Sequence, residues 1–306
     1  MIRFTAIVGK NMSELVLHPQ NLLRVPLRGR RLVARVEERA QEVRRLIIAQ
    51  PPKTSVGVTV LIRTKNDAAS IGQLLEDIRA NQEYFSGPVQ VVLVDTESSD
   101  DTLKIAERYK DFFELTVVPI KQAAFDYATS LNVGFKAAKF PLVFTLVGHS
   151  SFTNRLTLAT AALYVDRPDF AGGFCYTMPN SNASMSERLV MGFHTPAKML
   201  NKPARPLKKE VMGMMGANCS LVRREVWQKL GGYDVRYAAG GEDADFGHRA
   251  LRAGYKIMVD PVLTVYHTHG LGLIGNIRQL QYWHKLDRPR PFNAAELAKF
   301  RSDLRA

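Results

Sequence analysis

A chain of 306 residues with 46% hydrophobic content can bury one large core or two small ones, which excludes a disordered protein. Its net charge of +13 raises nucleic acid or an anionic surface as partner, but the excess sits at the ends: +6 over residues 1–50 and +4 over 271–306, against +3 for everything between. A nearly neutral middle and the lack of any zinc-finger, RRM or helix-turn-helix pattern argue against a dedicated nucleic-acid domain, and the basic ends suit a peripheral membrane contact, a protein partner or simply a solvated face.

No apolar run has the length of a membrane-spanning helix, and MIRFTAIVGKNMSE lacks the apolar core and cleavage site of a signal peptide, so a soluble, cytoplasmic protein is expected. Cys175 and Cys219 form no CxxC pair and are predicted to be buried free thiols. Residues 1–55 form a basic N-terminal extension. Within it Arg3–Gly9 is a candidate strand, and Arg31–Gln50 is an amphipathic helix with Leu32, Val36, Val43, Leu46 and Ile47 near helical spacing. Pro51 and Pro52 stop it.

From Val56 the pattern becomes strand, polar loop, helix, repeated. VGVTVLI is a strand followed by the loop RTKND and a helix with Ile71, Leu74, Leu75 and Ile78 on one face. VQVVLV is a second strand that runs into Asp95, and the loop DTESSDDT leads to a helix capped by Ser99 or Asp100 with Leu103, Ala106 and Tyr109 inward. LTVVPI is a strand, Ser130–Lys139 a helix, and PLVFTLV a strand ending at Gly148 and His149. This alternation predicts a mostly parallel sheet flanked by helices, with ligands at the carboxyl ends of the strands. Neither GxGxxG nor GxxxxGK[ST] follows the first strand, so phosphate is held by other means.

The second half centres on GGEDADF, a glycine turn that delivers Glu242 and Asp243 to the start of a helix with Phe246, Ala250 and Ala253 inward and a stop at Gly254. Two carboxylates there can do acid/base work, or Asp243 can merely cap the helix. Seven of the ten methionines fall between Met178 and Met215, a composition that suits an adaptable loop near a pocket and equally suits core filler.

RTKN, VVLVDTESSDDT, FDYATSLNVGFKAA, GANCSLVRREVWQKLGGYD, GGEDADF and VYHTHG, in this order, resemble the signatures of the inverting family 2 glycosyltransferases of the GT-A fold. The resemblance covers residues 56 to about 270. It implies an α/β GT-A fold: a Rossmann-like nucleotide-sugar-binding half at 56–150, an acceptor-binding and catalytic half at 151–270 and a basic C-terminal tail at 271–306. It implies transfer of a hexosyl or deoxyhexosyl group from a nucleotide diphosphate sugar to a hydroxyl acceptor, a small molecule or a lipid-linked glycan, with a homo-oligomer open. Asp95 meets the nucleobase, and Thr64, Asn66, Lys121, Asn132 and Gly148 line the donor. Gly241 and Glu242 face the acceptor, Glu242 binding it or orienting the loop, and Asp243 is the general base, with a pKa expected to be lowered by the helix N-terminus; Asn218 in the GANCS stretch is a candidate polar contact to acceptor or donor and equally a buried residue that satisfies a turn.

One departure stands out. Where the family carries DxD, this chain has Val147 and His149, so a divalent cation, manganese or magnesium, would have to use His149, His267 and, more weakly, His269. Without a metal, Arg63, Lys65 or Lys121 would carry the charge stabilisation. Two other readings remain open: a catalytically silent nucleotide-sugar-binding or scaffold protein, and an anionic-surface module acting through the basic termini. RQLQYW only faintly resembles the QxxRW of processive synthases, since Tyr282 replaces the arginine, and processivity is not inferred.

Overall fold

The computed structural model describes residues 27–49, 55–180, 183–188, 203–211, 214–238, 240–286 and 290–303. The candidate strand Arg3–Gly9 and much of the methionine-rich stretch lie outside them. The chain runs α1 (Leu27–Ala49), β1 (Val58–Thr64), α2 (Ile71–Asn81), β2 (Val89–Asp95), α3 (Thr102–Glu107), β3 (Glu114–Pro119), α4 (Tyr127–Ala137), β4 (Leu142–Val147), β5 (Ser150–Phe152) and α5 (Thr157–Ala162). It continues through β6 (Phe170–Phe174), β7 (Arg205–Pro206), β8 (Ser220–Arg223), α6 (Arg224–Lys229), α7 (Glu242–Arg252), β9 (Lys256–Val259), β10 (Val265–His267), α8 (Leu273–Leu286) and α9 (Ala294–Asp303).

An eight-stranded sheet in the order β3-β2-β1-β4-β8-β6-β9-β7 forms the centre, and β5 pairs with β10 in a small second sheet. β1 to β4 are all parallel, as the βαβ alternation predicts. The antiparallel β8 between β4 and β6 makes the sheet mixed, and its four residues carry no sequence signal of direction. Because strand side chains alternate, Val58, Val60 and Ile62 join the core beneath α1, α2 and α5, whereas Leu61 joins the one beneath α4 and α7. Arg63 shares the parity of Leu61, and Thr64 that of Ile62, so two neighbours at the end of β1 serve opposite sides of the sheet.

Three local expectations change. Helix α4 starts at Tyr127, three residues ahead of the predicted start, because the Asp126 carboxylate accepts the Thr129 N–H at 2.6 Å and caps it. Ala253 is exposed, since α7 has already ended at Arg252. Helix α1 belongs to the body of the fold: Val36, Ala40, Val43 and Ile47 enter the core, while Leu46, predicted inward, is exposed. Arg39 fixes the docking, reaching the fully buried Asp260 at 3.2 Å, and the Tyr164 hydroxyl donates to the same carboxylate at 2.6 Å. Asp260 also accepts the Val262 N–H, closing the turn that leads into β10. Both cysteines are buried free thiols, as predicted.

Candidate functional site

The carboxyl ends of β1, β2 and β4 bring three loops together. The Asp95 side chain is buried at the end of β2; one oxygen accepts the Ser98 N–H at 3.1 Å, and Oδ1 is buried with no partner among the described residues. An acceptor held open at a rigid strand end can take a ring N–H from a ligand. Asn66 sits in the left-handed region at φ 55, and its side-chain oxygen accepts the Ser99 N–H at 2.8 Å, lacing the first loop to the second. Its amide is therefore a loop tie rather than a simple donor contact. Lys121 is largely exposed and pairs with Glu97 at 3.3 Å.

Asn132, expected to line the donor, is engaged within the protein. Its oxygen accepts the Trp227 indole N–H at 3.2 Å and the Tyr233 N–H at 2.9 Å, and its amide donates to the Tyr233 carbonyl at 2.8 Å. The side chain locks α4 to the loop after α6 and is spent there. Thr64 is likewise engaged: its hydroxyl donates to Asp67 at 2.9 Å.

That aspartate is one of two residues not singled out in the sequence. Asp67 accepts the Thr64 hydroxyl and the Lys65 N–H, and its other oxygen lies 3.0 Å from His149 Nδ1. Gly148 makes the approach feasible, because a methyl group there would overlap the Asp67 carboxylate. The signal was available, an acid just after RTKN, but its partner lies 82 residues away. A carboxylate on one ring nitrogen fixes the tautomer and aims the other, as in histidines that bind metals.

His149 meets two more histidines because β5 pairs with β10, setting Ser150 opposite His267. The His149 and His267 ring centres are 4.9 Å apart, and His267 Nε2 lies 3.0 Å from His269 Nε2. Ligand atoms of all three lie within 4.8 Å of one another. His149 Nε2 and His267 Nδ1 are buried with no partner among the described residues. Burial and then the neighbouring imidazoles hold His267 well below its usual pKa, and burial followed by His149 lowers His269 to about 4. The uncharged rings of His267 and His269 keep lone pairs free, and two nitrogens bound to one ion at about 2.0–2.1 Å sit roughly 3 Å apart, so the donor set fits a divalent cation of the manganese or zinc kind. Glu187, also missed, is buried and holds the third histidine in place by accepting the His269 N–H at 2.6 Å.

The carboxylates stand where the glycine turn puts them. Gly240 and Gly241 take φ 118 and 94, a conformation that favours glycine, and Gly241 is the cap of α7. Asp243 accepts the Ala244 N–H at 2.7 Å and, from the loop before β8, the Ala217 N–H at 3.1 Å. Asn218 is the half-buried neighbour of Ala217. The expected lowering of the Asp243 pKa is overturned. Burial raises it, outweighing the two backbone donors and the cation of Arg63. Glu242, buried with Oε2 unpartnered among the described residues, is pushed up to about 8 by burial and then by the Asp243 charge. Two adjacent carboxyls, Glu242 buried and Asp243 half-buried, cannot both ionise cheaply, and the helix terminus offsets only part of that cost.

Between the two clusters lies Arg63. Its guanidinium rests 5.4 Å from the centre of the Tyr127 ring, its Nε is buried without a partner among the described residues, and its charge acts on Glu242, Asp243 and His267 alike. The site thus offers an open acceptor, a three-histidine cluster, a fixed cation and two adjacent carboxyls.

The profile of the family described as Glycosyltransferase like family 2 matches residues 52–285. The O-antigen chain rhamnosyltransferase WbaN of Salmonella anatum is 24% identical over 216 residues, 69% of this chain and 66% of that protein, so the match leaves about a third of WbaN outside it. Staphylococcus aureus TarS 1-349, solved in complex with UDP-GlcNAc, superposes with a TM-score of 0.57 at 17% identity over 81% of this chain and 70% of that one. The mannosyltransferase PcManGT of Pyrobaculum calidifontis, solved with GDP-Man and Mn2+, gives 0.55 at 19% over 95% and 80%. These neighbours share the GT-A sheet with its loops at the strand ends, and with the profile spanning most of its length, the chain belongs to the family 2 glycosyltransferases.

Proposed function

We propose that this protein is an inverting glycosyltransferase that moves a hexosyl or deoxyhexosyl group from a nucleoside diphosphate sugar to a hydroxyl acceptor. The observation that carries this reading is the placement of the adjacent carboxyls Glu242 and Asp243 by the glycine turn at the start of α7, where the Arg63 charge acts on both of them and on His267 of the histidine cluster. In the reaction the acceptor oxygen attacks the anomeric carbon, the bond from that carbon to the diphosphate oxygen breaks, and its electron pair leaves with the nucleotide. The acceptor proton passes to the Asp243 carboxylate. A base with a raised pKa takes that proton more readily near neutral pH than an ordinary aspartate would. Glu242 retains the proton the pair shares, which leaves Asp243 ionised.

Asp95 Oδ1 takes the base edge, Arg63 sits by the departing diphosphate, and Gly148 leaves room beside the His149 loop. Manganese, as in the PcManGT complex, or a similar divalent ion would be held by His149, His267 and His269, and when bound it supplies positive charge to the diphosphate. An all-imidazole set suits manganese better than magnesium, which prefers oxygen ligands. The loss of DxD favours one second reading, a nucleotide-sugar binder without turnover. A thermal-stability panel of UDP, GDP, TDP and CDP with manganese, magnesium or chelator separates the two when paired with turnover assays. A nucleotide at a hundred times its Kd should stabilise the fold by about 2.7 kcal/mol. Asp243→Asn should keep that stabilisation and lose turnover by about a hundredfold or more. Binding without turnover in the unmodified protein supports the silent reading, and no stabilisation by any nucleotide refutes the donor assignment.

A further inference from the structure

Beside the histidine cluster the surface carries an apolar lip that the glycosyl-transfer reading does not use. Met185 is 80% exposed, Leu273 65%, Ile274 68% and Ile277 46%. They are four of the nine exposed large hydrophobic side chains among the described residues, gathered at one place. Leu273, Ile274 and Ile277 fall on one face of the first turns of α8, at i, i+1 and i+4.

The lip is built rather than frayed. The buried Asn276 amide donates to the Ser186 hydroxyl at 2.9 Å and to the Leu271 and Gly272 carbonyls at 3.0 and 3.1 Å. The Ser184 hydroxyl donates to the Leu271 carbonyl at 2.8 Å. These bonds tie the turn carrying Met185 to the start of α8, and Glu187 in that turn holds His269. The apolar side chains therefore stand at a fixed place next to the candidate site.

We propose that this lip docks the protein on an anionic lipid bilayer. Exposed leucine and isoleucine on one helix face, flanked by basic sequence, is the pattern of a helix that lies in the membrane interface. Residues 271–306 carry seven Lys and Arg against three Asp and Glu, and the whole chain carries +13. That charge complements acidic headgroups and opposes a second copy of the same basic chain on this face. No helix among the described residues is long and apolar enough to cross a membrane, so the contact is peripheral. Docking here would present the histidine cluster and α7 to acceptors carried in the membrane. That consequence rests on the glycosyltransferase reading; the docking itself does not.

The test is sedimentation of the full chain with vesicles of phosphatidylcholine alone or with about a third phosphatidylglycerol, at low and high salt. The chain should pellet with the anionic vesicles, and less with neutral ones or at high salt. Leu273→Asp with Ile274→Asp should weaken binding at least about tenfold, since each side chain loses its apolar burial, while thermal unfolding and nucleotide binding stay unchanged. Should that variant fail to fold, Ile274→Cys bearing an environment-sensitive dye, selective because Cys175 and Cys219 are buried, should shift to the blue on anionic vesicles. No pelleting with anionic vesicles, equal binding by a folded aspartate variant, or an unshifted dye overturns the proposal. So does a concentration-dependent dimer that the aspartates dissociate, which would make the lip a contact between copies.

Discussion

Replacing Glu242 with glutamine tests the electrostatics of the acid pair directly. The carboxyl is raised from 4.5 to about 8 in the folded chain, so between those values the folded state holds a proton that the unfolded state has released. Stability from this group therefore falls as pH rises through that window, and the loss is complete above about pH 8. From pH 5 to pH 9 the linkage amounts to about 4 kcal/mol, at 1.36 kcal/mol per pKa unit. Glutamine keeps the shape and removes the ionisation, and it also relieves Asp243 of a neighbouring charge. Urea unfolding of both proteins across pH 5–9 gives the comparison, in which every group that titrates alike in the two proteins cancels. The glutamine variant should lose about 4 kcal/mol less than the parent over that range. Parallel curves would refute the reasoning, since they would mean that Glu242 ionises in the fold as it does in the unfolded chain.

Asp67→Asn should lower manganese affinity, measured by titration calorimetry, by about ten- to a hundredfold, because His149 loses the carboxylate that fixes its tautomer. His149→Ala should lose the manganese effect on thermal stability altogether. Arg39→Ala leaves the buried Asp260 carboxylate without its cation and should cost about 3–5 kcal/mol in urea unfolding. The double variant Arg39→Met with Asp260→Asn should recover much of that loss, whereas a negligible cost for Arg39→Ala would show that α1 docks through its apolar stripe alone.

Much of the frame was legible because it is local. The helix face of Ile71, Leu74, Leu75 and Ile78, the apolar strands β1, β2 and β4, and the glycine turn ahead of Glu242 each follow from spacing or backbone conformation over a few residues. Asp95 ends β2, His149 follows β4, His267 ends β10 and Asp243 follows the glycine turn, positions set by short local stretches of sequence. The place of α1 was not legible, because its stripe needs the turn at Pro261–Leu263 and α5, far along the chain, to bury it.

What the sequence determined by itself was the alternation of strands and helices, the residues at the strand ends and the loss of the acidic metal motif. Only the tertiary structure decided how those residues are employed. It engaged Asn132 with Trp227 and Tyr233, and Thr64 with Asp67; it paired β5 with β10 so that three histidines meet; and it buried Glu242 beside Asp243, reversing the expected direction of the Asp243 pKa. Hydrogen-bond partners and desolvation depend on atoms that are near in space and distant in sequence, and no periodicity along the chain encodes them.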